Sequence, residues 1–162
     1  MSGAGAPDLT SDASGLRVAV IAGSWHEEIM EPMIRDAEAT ITEFGGEARV
    51  VRVAGAFELP LAAQTALAAR DAGGGGFDAA VCLGVIIRGG TPHFDYVCNA
   101  VTDGLTRAQL DAGKPVGFGV LTTDTEQQAL DRSGRPGAPE AKGREAAEAA
   151  LHLASAQRAL RG

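Results

Sequence analysis

Four apolar, β-branched runs punctuate the chain: LRVAVIAG (residues 16–23), ARVVRVAG (48–55), FDAAVCLGVII (77–87) and PVGFGVLTT (115–123). Most are near-continuous in apolar residues rather than alternating. That pattern predicts strands buried on both faces, as in a parallel sheet covered by helices. Between the runs the period changes. EEIMEPMIRDAEATITEF sets Ile29, Met33, Ala37 and Ile41 on one stripe at helical spacing. PLAAQTALAARD opens on Pro60, a residue suited to a first helical turn. FDYVCNAVTDGLTRAQLDAG lines up Val97, Val101, Leu105 and Ala108 and runs to Gly113, and DTEQQALDRSG makes a short helix ending at Gly134. An Ala-rich last helix is expected near residues 140–161.

Local punctuation supports these helices. SWHE (Ser24, Glu27) and TDTE (Thr123, Glu126) both fit the capping-box pattern. Pro32 implies that the first helix begins close to it or kinks there. AGGGG (72–76) reads as a flexible connector, and no internal repeat is present. The order β-α-β-α-β-α-β-α-α predicts an α/β protein, a three-layer α/β/α sandwich. Its four-stranded parallel sheet, with right-handed crossovers, is expected to be flavodoxin-like with strand order 2-1-3-4. A flexible tail over residues 1–15 would precede one domain over 16–162.

Composition narrows what such a domain can do. The formal net charge of -7 argues against nucleic acid as a partner. Aromatics are 4% of residues, with Trp25 the single tryptophan and Tyr96 the single tyrosine. The core must therefore be built from Ala, Val, Leu and Ile. The 2 cysteines, Cys82 and Cys98, have neither metal-ligand spacing nor a disulfide framework. No run reaches the ~18 apolar residues of a membrane span, and the first residues lack the pattern of a signal peptide. A cytoplasmic protein is expected.

Ligands of open α/β sheets sit beyond the carboxyl ends of the strands. Four segments meet there: GSWHE, GAFELP, RGGTPHFDYV and TTDTE. Trp25 can stack on a flat heterocycle or sit in the core. Glu58 can accept hydrogen bonds from sugar-like hydroxyls or complement a helix N-terminus. Gly90 and Thr91 can form an anion-binding concavity or an ordinary turn. His93 is the candidate acid–base group, because imidazole titrates near neutrality. Asp95 could orient His93 or cap the helix. His152 reads as surface or packing, and His26 as a cap or a residue lining the ligand edge. Arg132, about eight residues along a helix that starts at this edge, would lie some ~12 Å from it at ~1.5 Å per residue. It would then reach an anion only from a neighbouring subunit. A solvated arginine at a helix end is the other reading.

Over most of the chain, from about Leu16 onward, these segments resemble the lumazine synthases (6,7-dimethyl-8-ribityllumazine synthases) of riboflavin biosynthesis. GSWH, GAFELP, LGVIIRGGTPHFDYV, GVLTTDTEQQALDRSG and the KG pair at Lys142 and Gly143 carry the resemblance. It implies a transferase that condenses 5-amino-6-(D-ribitylamino)uracil with 3,4-dihydroxy-2-butanone 4-phosphate. The product is 6,7-dimethyl-8-ribityllumazine, with release of phosphate and water, and no metal or organic cofactor is used. It also implies roles. Trp25 would stack on the pyrimidine, and Ala56, Phe57 and Glu58 would hold the ribityl chain. Val85, Ile86 and Ile87 would meet the uracil edge, Gly90 and Thr91 the phosphate, and His93 would transfer protons. Phe118 and Arg132 would come from the adjacent subunit, with Lys142 as a helper. The family more often carries phenylalanine at the place of Trp25 and asparagine at that of His26.

The same resemblance implies a homopentamer with shared sites, in some members closed into an icosahedral 60-mer, and brings in riboflavin synthase as a partner. The segment SGRPGAPEAKG (133–143) is longer than in shell-forming members and holds two prolines, so a free pentamer is expected. A flavin- or nucleotide-binding module, an inactive scaffold and an archaeal-type riboflavin synthase are the competing readings. The absence of G-x-G-x-x-G and Walker patterns counts against the nucleotide-binding module.

Overall fold

A computed structural model describes residue 9, residues 11–68 and residues 76–161. Four strands, β1 (Arg17–Gly23), β2 (Glu47–Val53), β3 (Ala79–Ile87) and β4 (Val116–Thr123), form one sheet in the order β2-β1-β3-β4. All pairings are parallel, and Ile21 sits between Val51 and Cys82. The expected topology is therefore observed. The two central strands are buried almost throughout, which explains their unbroken apolar runs.

Helices cover both faces. The helices α1 (Glu27–Glu43) and α5 (Lys142–Arg161) pack on one face, and α2 (Leu59–Ala68) and α3 (His93–Ala112) on the other. The short α4 (Glu126–Leu130) follows β4. Ile29, Met33, Ala37 and Ile41 are all buried under α1, as their spacing predicts. Val101, Leu105 and Ala108 do the same for α3, which ends at Gly113 in the left-handed conformation.

The N-terminal ends of two helices depart from expectation. The SWHE box does not form: Ser24 Oγ donates to Val53 O at 2.7 Å, tying β1 to β2 instead. The N-cap of α1 is His26, left-handed at φ 56, and the helix runs through the buried Pro32 without starting there. The TDTE box is displaced by two residues. Thr125 caps α4 by accepting from Gln128 N at 3.2 Å, and Gln128 Oε1 accepts from Asp124 N at 2.9 Å.

Residues 11–15, read above as the end of the tail, lie against the domain. Ala13 is fully buried, and its N–H donates to Phe44 O at 2.8 Å. Residues 1–8 and 10 of that tail, and 72–75 of the glycine connector, lie outside the described residues.

Alanine and glycine set the distance between α1 and α5. A Cβ on Gly143 would overlap the carbonyl oxygen of Met33 and lie 2.8 Å from its Cα. Both atoms belong to the α1 backbone, so neither can move aside as a side chain would. Gly143→Ala is accordingly expected to cost about 3 kcal/mol through overpacking. That corresponds to a fall in melting temperature of roughly 6–12 °C for a domain of this size, readable by calorimetry.

Candidate active site

The carboxyl ends of β1, β2 and β3 bring together most of the expected residues. A cleft of about 340 Å³ is lined by Trp25, Ala56, Phe57, Glu58, Val85, Ile86, Ile87 and His93, together with His26, Gly55 and Val97. The sheet accounts for the placement. β1 delivers Trp25, the turn after β2 delivers Ala56–Glu58, and β3 runs out at Ile87 into the glycine loop.

Trp25 is 69% exposed, so it is not a core residue. Its indole lies over Gly55, where a Cβ would come within 3.3 Å of Trp25 Cδ1 and 3.4 Å of Glu58 Oε2. Gly55 thus lets the aromatic face and the carboxylate approach one another. Gly55 opens the GAFELP segment, directly after an apolar run, but the sequence alone assigns it no role. Ala56–Glu58 form one 3-10 turn that leads into α2. Glu58 Oε2 accepts from Gly55 N at 2.8 Å, which fixes the side chain, and Glu58 lines the cleft. Glu58 thus anchors the turn that leads into α2.

Gly90 and Thr91 lie in the open loop between β3 and α3. No atom stands within 4 Å of the place a Cβ would occupy on Gly89 or Gly90. His93 opens α3, is exposed, and lines the cleft. Among the described residues no side chain is hydrogen-bonded to its imidazole. Asp95 does not orient it, because Asp95 Oδ1 faces Arg88 Nη1 at 3.4 Å. His26 Nδ1 lies 3.7 Å from Glu126 Oε1, linking the loop after β1 to the start of α4.

Phe118, Arg132 and Lys142 are not in this cleft. They line a second one of about 260 Å³ along β4, the outer edge of the sheet. The two clefts have no lining residue in common. The helix expected to carry Arg132 is shorter than its sequence suggests. It ends at Leu130 because Ser133 Oγ bonds Leu130 O at 2.8 Å and Gly134 turns the chain at φ 77. Arg132 sits in that turn, not within a helix, so a distance counted along a helix does not apply to it. Its Nη1 donates to Gln128 O at 2.8 Å, and its Nη2 is 3.7 Å from Glu140 Oε1.

Glu140 organises this second cleft, and sequence reasoning missed it. Lys142 Nζ lies 2.6 Å from Glu140 Oε2 and 2.7 Å from Glu145 Oε2. The hydrogen bond from Lys142, against a smaller opposing effect of burial, holds the Glu140 carboxyl below its usual 4.5. Burial works to lower the Lys142 pKa, but its bonds to both carboxylates outweigh that and raise it above 10.5. The depressed acid contributes stability above pH 4.5 that is lost as pH falls through its folded-state value. The raised base contributes stability that is lost only as pH rises past its own folded-state value. Hydrogen exchange over residues 132–143 is therefore expected to be slow across neutrality. It should quicken several-fold below pH 4.5, after correction for the intrinsic rate.

Among the described residues, no group of three His, Cys, Asp or Glu side chains could hold a metal ion. No described helix is long and apolar enough to cross a membrane. An exposed indole, a fixed carboxylate, an imidazole and an open glycine loop share the carboxyl edge of a parallel sheet. Fold and site together have the form of an α/β enzyme, with groups suited to a flat, hydroxyl-bearing molecule at the edge where such sheets place their ligands.

Comparison with known proteins makes the class specific. The family model described as 6,7-dimethyl-8-ribityllumazine synthase matches residues 15–158. A protein of that name from Leifsonia xyli subsp. xyli is 58% identical over 164 aligned positions, spanning 100% of both chains. One from Clavibacter michiganensis is 54% identical, covering 100% of this chain and 99% of its own. One from Streptomyces avermitilis is 53% identical, covering 99% and 97%. The chain belongs to the 6,7-dimethyl-8-ribityllumazine synthase family. Membership carries the family's activity, the condensation step of riboflavin biosynthesis.

Proposed function

We propose that the chain joins 5-amino-6-(D-ribitylamino)uracil to 3,4-dihydroxy-2-butanone 4-phosphate in a site completed by a second copy of itself. One observation carries this reading. Eight residues expected from one subunit line the first cleft. Phe118 and Arg132, expected from a neighbour, line a separate one together with the helper Lys142, along the open edge of the sheet. Bringing the β4 edge of one copy against the first cleft of another would unite the two sets.

In that site Trp25 stacks on the pyrimidine, and Phe57 and Glu58 hold the ribityl chain beside Ala56. Val85, Ile86 and Ile87 meet the uracil edge. The backbone N–H of Gly90 and the hydroxyl of Thr91 bind the phosphate, joined by Arg132 from the adjacent subunit. Phe118 of that subunit covers the heterocycle from the other side. Lys142 assists by holding Glu140 beside Arg132.

The chemistry then needs little covalent help. The substrate's own 5-amino group attacks the ketone, and water leaves as the imine forms. Loss of a proton from the carbon next to the imine accompanies elimination of the phosphate. The enol left by that elimination tautomerises to a methyl ketone, and the ribitylamino nitrogen closes the second ring on this new carbonyl with loss of a second water. His93 moves the protons. Holding two flexible reactants in the reactive geometry supplies much of the acceleration.

A free homopentamer in the cytoplasm, handing its product to a riboflavin synthase, fits this chemistry. The prolines between Ser133 and Gly143 and the anchored Ser133–Ala141 bridge support the pentamer over a 60-subunit shell. Mixing the purified protein with both substrates should produce the lumazine chromophore and one phosphate per turnover. Absence of both products from folded protein contradicts the reading. Sedimentation should give about five times the 16.5 kDa chain mass, and a particle near sixty subunits would contradict the pentamer.

A further inference from the structure

Arg88 is the last side chain before the glycine loop, and no role in the proposed reaction has been given to it. It touches every element that frames that loop. Its Nε donates to Asp124 Oδ1 at 2.7 Å, at the end of β4. Its Nη1 donates to Asp95 Oδ1 at 3.4 Å, in the first turn of α3. The guanidinium lies 4.1 Å over the Phe94 ring, next in sequence to His93. The backbone N–H of Arg88 donates to Thr123 O at 2.9 Å. A single planar fork thus ties the strand before the loop to the helix after it and to the strand beside it.

Stability does not explain this arrangement. Arg88, Asp95 and Asp124 are each about half exposed, and pairs of that kind contribute little to folding. Position is the better account. Gly89 and Gly90 have no side chains to define their path, so the loop holds its shape only as well as its two ends are held. Asp95 and Asp124 also place two negative charges beside a segment meant to receive a phosphate. Without a counter-charge they would repel it.

We propose that Arg88 is a positioning residue for the phosphate end of the site. It fixes both ends of the Gly89–Gly90–Thr91 loop and neutralises the two carboxylates that flank it. This rests on the assignment of that loop to the phosphate, and it adds a residue that does not itself touch substrate.

The test is steady-state kinetics with both substrates at fixed ionic strength. Arg88→Met is expected to raise the KM for the ketose phosphate about tenfold. The KM for ribitylaminouracil should stay within about twofold, a split that general loosening would not produce. Adding Asp124→Asn removes the carboxylate left without its main partner. That double variant should recover to within about threefold of the parent KM. Arg88→Lys keeps the charge but not the fork, and should raise the phosphate KM about threefold. It stands in if Arg88→Met does not fold. An unchanged phosphate KM, an equal rise in both KM values, or no recovery in the double variant overturns the proposal. Arg132→Ala serves as the control. If it too leaves the phosphate KM unchanged, the phosphate assignment fails. If it raises that KM while Arg88→Met does not, the role of Arg88 alone fails.

Discussion

Replacing His93 with alanine is expected to lower turnover about 10²–10⁴-fold, the usual contribution of a positioned proton-transfer group. Both reactants should still bind, since Trp25 and Glu58 are untouched. The proposed sequence moves a proton at imine formation, at phosphate elimination and at ring closure. Among the acid–base side chains of the first cleft, Glu58 is tied to Gly55 N and His26 faces Glu126. His93 is the one without such a partner among the described residues, and it opens the helix that follows the glycine loop. Because it is exposed, its truncation should leave the fold and assembly intact. Circular dichroism and sedimentation check that condition, and single-turnover kinetics check the chemical step. Unchanged turnover in a folded variant would remove His93 from proton transfer.

Arg132→Ala should act on binding instead. A charge-assisted hydrogen bond to phosphate is worth about 1.5–3 kcal/mol, so the KM for the ketose phosphate should rise about 10–100-fold. The KM for ribitylaminouracil should hardly change. The guanidinium is already oriented by Gln128 O and by Glu140. Its removal also leaves Glu140 to Lys142 alone, so a small loss of local order around residue 140 should accompany the kinetic effect. Equal changes in both KM values would mean that Arg132 supports the structure rather than the anion.

The sheet was legible because its strands are buried on both faces. LRVAVIAG and AAVCLGVII leave no polar face that a different register could expose, and short crossovers restrict the order. The first cleft was legible for the same reason: once strand ends are known, the residues at the carboxyl edge follow. Details that depend on competition between partners were not legible. Ser24 could cap α1 or bond Val53, and a sequence window does not contain Val53. Thr123 and Thr125 offer almost the same cap pattern, and the tertiary position of β4 chooses between them. EQQALDR has helical character that extends to Arg132, yet Ser133 and Gly134 end the helix early. Arg88 and Glu140 act through contacts 36 residues away or across a turn, which no local pattern records.

The proposed site needs two copies of the chain. His93→Ala and Arg132→Ala variants, each weakly active alone, can be unfolded together in equal amounts and refolded. If His93 and Arg132 belong to opposite sides of a shared site, random assembly makes about a quarter of the sites intact at both positions. The mixture should then regain about a quarter of parental activity at limiting ketose phosphate. Recovery no greater than the average of the two separately refolded variants would place both residues in one subunit's site and contradict the account.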